Sequence, residues 1–92
     1  MSLFSLLTAN DVQQQLAQAV RLKRKQLKLS RGALAELSTV PISTIKKFET
    51  TSQISLRQFI LIWQCVDSLE NLSELCIEPK LSPTSIDEVL KR

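Results

Sequence analysis

The sequence predicts an all-α chain of five helices followed by a short C-terminal tail. Three observations carry that expectation. Apolar residues recur at steps of three and four along most of the chain. Polar residues suited to start a helix stand ahead of most of these stretches. The core has to come from Leu, Ile, Val and Ala, because the 92 residues hold three Phe, one Trp and no Tyr. Residues 1–10 read as an N-terminal extension, 11–78 as the folded domain and 79–92 as the tail.

The first helix is expected over about 11–28. Asn10 with Gln13 resembles a capping pair, and Val12, Leu16, Ala17 and Val20 recur at helical spacing. Leu27 and Leu29 close it, and its other face is rich in Gln, Lys and Arg. Ser30 is placed to cap a second helix over about 31–38, with Ala33, Leu34 and Leu37 as its apolar residues. Thr39, Val40 and Pro41 form a tight turn; proline is tolerated in a helix's first turn, where its missing N–H costs nothing. A third helix over about 42–50 turns Ile45 and Phe48 inward, and residues 50–54 make a polar connection. Ser55 with Gln58 then opens a fourth helix. Its apolar residues Leu56, Phe59, Ile60, Ile62, Trp63 and Val66 run most of the way round, as in a helix that is centrally buried or half exposed at an interface. Leu69, Leu72, Leu75 and Ile77 predict a short fifth helix. Pro79 and Pro83 break the chain, and Ser85 with Glu88 resembles another helix start ahead of Val89 and Leu90.

Composition excludes several classes of function. There is no His and no CxxC pair, so no zinc site is expected. Cys65 and Cys76 read as two buried thiols in a reducing cytoplasm. The apolar N-terminus lacks the basic region and small-residue cleavage site of a signal peptide. No apolar run reaches the roughly 18–20 residues that span a bilayer. Gly32 is the only glycine, so no phosphate-cradling loop exists, and no nucleophile motif is present. An enzyme with a small-molecule substrate or cofactor is therefore not expected. The chain reads as a cytoplasmic binding protein.

Charge points to the partner. Residues 21–57 hold nine Lys and Arg against two acids, a net of +7, whereas residues 58–92 carry a net of −3. A basic segment on a compact fold is the electrostatic footprint of a nucleic-acid binder. The two short helices of residues 30–49 fit that reading, since a helix of this size fits the DNA major groove.

The stretch from Val20 to about Leu75 resembles the Cro/C1-type (XRE) helix-turn-helix family. Val20, Arg21 and Arg24 fit its basic first helix. Leu29, Ser30, Leu34 and Ala35 fit its second. Val40, Ser43, Thr44, Ile45 and Glu49 fall on its recognition-helix pattern, and Ser55, Leu56, Phe59 and Leu69 on the helix after it. The chain departs from the pattern where Arg31 replaces a usual Gln, where Thr39 replaces a usual turn Gly, and where Pro41 and Ile42 replace polar residues. The resemblance implies a five-helix, lambda-repressor-like domain acting as a homodimeric repressor on a palindromic double-stranded operator. The last third, from Cys65 onward, is similar to the ends of small HipB-like antitoxin proteins. That similarity implies a toxin–antitoxin operon and a HipA-type Ser/Thr kinase toxin as a partner.

Site residues follow from those two readings. Ser43, Lys46 and Lys47 are expected at base edges, where a Lys–guanine contact is worth about 1–3 kcal/mol of discrimination. Ile42 is restricted to apolar contact, for example with a thymine methyl. Ser30, Arg31 and Thr44 are expected to position phosphates, and Ser30 can cap its helix at the same time. The resemblance implies a structural ion pair between Arg24 and Glu49. Arg21, Lys23, Lys25 and Lys28 either attract the duplex or simply solvate a helix face. Phe59, Ile60 and Trp63 are expected to supply a dimer contact, since one helix of a thin domain cannot bury apolar residues on every side. A competing reading makes the chain mainly a protein-interaction subunit that holds a kinase toxin through its acidic, leucine-rich end.

Overall fold

The computed structural model describes residues 6–78, and these are all-helical. Helix α1 spans Ala9–Gln26 and begins inside the expected extension. The pair Asn10 and Gln13 does not start it. Thr8 does: its Oγ1 accepts from the Asp11 N–H at 3.1 Å, and the Asp11 carboxylate accepts from the Thr8 N–H at 3.0 Å. A carboxylate in the first turn also meets the positive end of the helix dipole, which an amide matches poorly. The helix stops two residues short of the expected Lys28, which turns left-handed at φ 60°. Burial on α1 begins at Leu16 and continues through Ala17, Val20 and Arg24, whereas Val12 and Leu27 are exposed.

Helix α2 spans Arg31–Ser38, with the Ser30 hydroxyl accepting from the Ala33 N–H at 3.0 Å. Leu34 and Ser38, four residues apart, form its buried stripe, and Leu37 lies on the exposed flank. The buried Ser38 hydroxyl is satisfied: it donates to the Leu34 carbonyl at 2.7 Å and accepts from the Val40 N–H at 3.2 Å. Thr39 then takes a left-handed conformation at φ 63°, and Val40 plugs into the core.

Helix α3 spans Ile42–Thr51 and starts where expected, with Pro41 of the turn as its N-cap. The Pro41 carbonyl accepts from the N–H groups of Thr44 and Ile45 at 2.9 and 3.1 Å. At its other end α3 extends one residue past the expected Thr50, and the connection starts at Ser52. Ser52 is left-handed and donates its N–H to the Phe48 carbonyl at 2.8 Å. Helix α4 (Leu56–Val66) starts on Ser55, whose Oγ accepts from the Gln58 N–H at 3.2 Å. Helix α5 (Leu69–Ser73) continues into a 3₁₀ turn over Glu74–Cys76.

One core joins these elements. Val20 of α1, Leu34 of α2, Ile45 and Phe48 of α3, and Phe59, Ile62 and Val66 of α4 are buried together. Phe48 meets Phe59 edge-on with ring centroids 5.9 Å apart, a favoured aromatic geometry. Helix α5 adds only Leu72 to this core, and Leu69, Leu75 and Ile77 remain exposed. The short helix is held through its first residues instead. Asp67 accepts from the Ser68 N–H and the Asn71 amide, and pairs with Lys23 of α1 at 2.8 Å. The Trp63 indole N–H donates to the Ser68 carbonyl at 3.0 Å. Among the described residues no helix is long and apolar enough to cross a membrane. The expected helix start at Ser85 and the rest of the tail after Glu78 lie outside the described residues, as do residues 1–5.

Candidate nucleic-acid interface

Burial of Ile45 and Phe48 sets the roll of α3 about its axis. With those two positions inward, Ser43, Lys46 and Lys47 must face out, and all three are exposed; Ile42, three residues before Ile45, lies on the flank at 43% exposure, and Thr44 is half-buried. Among the described residues, no carboxylate lies within ion-pair distance of Lys46 or Lys47. Thr44 and Lys47 also line a polar groove of about 490 Å³ with Gln13, Gln53, Ile54, Ser55 and Gln58. The sequence singles out Gln13 and Gln58 only as capping residues. Gln13 lies 40 positions or more from Gln53 and Gln58, and the packing of α1 against the end of α3 brings it beside them.

A buried carboxylate ties α3 to the two helices before it. The side chain of Glu49 has no exposed surface. Its Oε2 accepts from Arg24 Nε at 2.8 Å and its Oε1 from Arg24 Nη2 at 3.0 Å, a bidentate fork. Arg24 Nη1 donates to the Leu29 carbonyl at 2.8 Å, so this guanidinium is engaged on every side. Arg31 joins from the first turn of α2, its Nε donating to the same Oε1 at 3.0 Å. Burial pushes the Glu49 pKa upward, but the hydrogen bonds and charges of Arg24 and Arg31 outweigh it and hold the group below its ordinary value. The cluster thus contains two cations and one anion. Arg24 is buried, whereas about a third of the Arg31 side chain is open to solvent.

The expected dimer residues do not share one free face. Phe59 is 7% exposed and belongs to the core, because it sits between Phe48 and Trp63. Trp63 is half-buried, with the Lys23 ammonium 5.6 Å from its ring centroid. Ile60 is half-buried and lines a groove of about 240 Å³ with Leu56, Arg57 and Leu61. The outward side of α4 is therefore Leu56, Arg57 and Gln64, with Ile60 and Leu61 half-buried at its edge. Periodicity alone did not separate this side from Phe59, since apolar residues nearly encircle the helix.

The cysteines also differ from expectation. Cys65 is half-buried and Cys76 is exposed. Desolvation raises the Cys65 pKa. Among the described residues no cluster of His, Cys, Asp or Glu could hold a metal ion. Comparison with protein-family models, with curated proteins and with solved structures finds no match to this chain in any of the three.

Proposed function

We propose that this chain is a sequence-reading DNA-binding protein of the helix-turn-helix type, acting as a homodimeric transcriptional repressor. The observation that carries the reading is the outer face of α3, where Ser43, Lys46 and Lys47 stand exposed within a segment of net charge +7. In this reading α3 enters the major groove of a palindromic operator. Lys46 and Lys47 reach base edges, Ile42 meets a thymine methyl, and Ser30, Arg31 and Thr44 hold phosphates. A second copy presents the same helix one helical turn along the duplex. Occupying a promoter excludes polymerase. The resemblance of the last third to HipB-like proteins extends the proposal to an autoregulating antitoxin-type subunit with a HipA-type kinase as partner.

Fluorescence anisotropy of a labelled duplex from the gene's own upstream region, against a scrambled duplex over a salt series, tests this. A repressor binds its operator roughly 10³-fold or more tightly than the scramble and weakens steeply with salt.

A second reading, a subunit that mainly holds a kinase toxin, is favoured by one observation. Leu69, Leu75 and Ile77 are exposed on a stretch that also carries Glu70, Glu74 and Glu78. Equal, weak binding to both duplexes would make this the leading reading.

A further inference from the structure

Glu49 holds Arg24 and Arg31 at once, but it leaves them in different states. Arg24 spends Nε, Nη1 and Nη2 on Glu49 and the Leu29 carbonyl, and it is buried. Arg31 spends only Nε. Among the described residues its two Nη groups meet no hydrogen-bond acceptor, and about a third of the side chain faces solvent. A guanidinium has two usable edges. One edge of Arg31 is fixed by a carboxylate with no exposed surface, and the other points away from it.

We propose that Glu49 is a positioning residue for DNA binding: it fixes the Arg31 guanidinium by its Nε edge so that the Nη edge clamps one phosphate of the duplex backbone. The inference rests on the DNA-binding reading above. Charge agrees with it, because the cluster of Arg24, Arg31 and Glu49 keeps one positive charge after its internal pairing. That remaining charge lies on the partly exposed member. Fixing the side chain before binding removes much of the rotamer entropy a free arginine would lose on meeting a phosphate. Glu49 lies on α3 itself, so the clamp on α2 and the outward face of α3 keep one spacing. A phosphate held at Arg31 then sets how α3 sits in the groove. Lysine cannot replace this arginine. Its ammonium is a compact point charge on a flexible stem, without the rigid planar fork that holds a carboxylate at one edge and aims the other at a phosphate.

Arg31→Lys and Arg31→Ala are measured by anisotropy on the upstream duplex and its scramble over a salt series. Both variants leave the Arg24–Glu49 fork in place. Each should bind about tenfold more weakly than the parent, by the same factor on both duplexes. Arg31→Ala should lower the salt slope by about 1, and Arg31→Lys should keep it. Glu49→Gln, if its helical circular dichroism and melting transition show it folded, should make the loss on Arg31→Ala much smaller. Wild-type affinity in Arg31→Lys would overturn the proposal, since charge alone would then suffice. An undiminished effect of Arg31→Ala in a folded Glu49→Gln background would overturn it too. If Glu49→Gln does not fold, the lysine variant decides. Failure of the parent itself to prefer the upstream duplex is a separate result and counts against the repressor reading.

Discussion

Single residues join the helices of this chain where its small core cannot. Asp67 is the clearest case. Its carboxylate takes Lys23 from α1, the Ser68 N–H and the Asn71 amide, and these bring its pKa down from 3.8 to about 2. Because the folded-state value is the lower one, the ionised group stabilises the fold above the unfolded pKa. That contribution disappears as pH falls through the folded value. Asp67→Asn should therefore be less stable than the parent at pH 6, and the gap should close as pH falls from about 4 toward 2. Urea titrations of both proteins across that range measure it, and a gap independent of pH would show that charge is not the cause. Glu49 obeys the same sign from a buried position, with Arg24 and Arg31 as its partners. In the sequence Arg24 and Glu49 can be matched by resemblance, but Arg31 is legible there only as a basic residue at a helix start. Its contact with Glu49 spans 18 positions and depends on how α2 leans on α3.

Elements of this protein are begun and ended by a few local contacts. Ser30, Ser55 and Ser68 each cap a helix through the hydroxyl, and the first two are readable from spacing. Thr8 competes with Asn10 for the start of α1 and wins because Asp11 completes a reciprocal pair. The turn between α2 and α3 carries strain, since Thr39 holds φ 63° with a β-branched side chain. Thr39→Gly should relieve it and raise stability by about 1 kcal/mol, which for a domain of this size is roughly 4–8 °C in Tm. A calorimetric scan checks this, and a lower Tm would mean that the Thr39 side chain contributes more than its backbone costs. Helix α4 is where periodicity ran out. Its existence and start follow from the pattern, but eight of its eleven residues are apolar, so no stripe stands out. Only the rings of Phe48 and Trp63 show that Phe59 faces inward.

Across the whole molecule, the basic middle and the acidic end divide the surface into two kinds. The outer face of α3 carries lysines that pair with no acid among the described residues, which suits a polyanion. The proposed repressor makes a definite demand on that face. Lys46→Ala combined with Lys47→Ala should abolish most of the preference for the upstream duplex over the scramble, while the melting transition stays close to that of the parent. Both side chains are exposed, and surface changes of this kind cost within about 0.5 kcal/mol. Unaltered discrimination in the anisotropy assay would remove α3 as the reading element. The acidic stretch after α4 presents Leu75, 81% exposed, and Ile77 beside Glu74 and Glu78. An exposed apolar stretch of that kind is the surface on which the kinase-holding reading depends.

The sequence by itself determined the all-helical class, the order of the five helices, the inward placement of Val20, Leu34, Ile45 and Phe48, and the basic character of residues 21–57. These follow from spacing, capping and charge, which act between neighbours in the chain. Tertiary structure alone decided that Leu37 faces out, that Phe59 is core, and that one buried carboxylate serves two arginines from different helices. Each of these depends on the angle at which one helix crosses another. That angle is set by how the side chains of four helices fill one common volume, and no local pattern in a single helix records it.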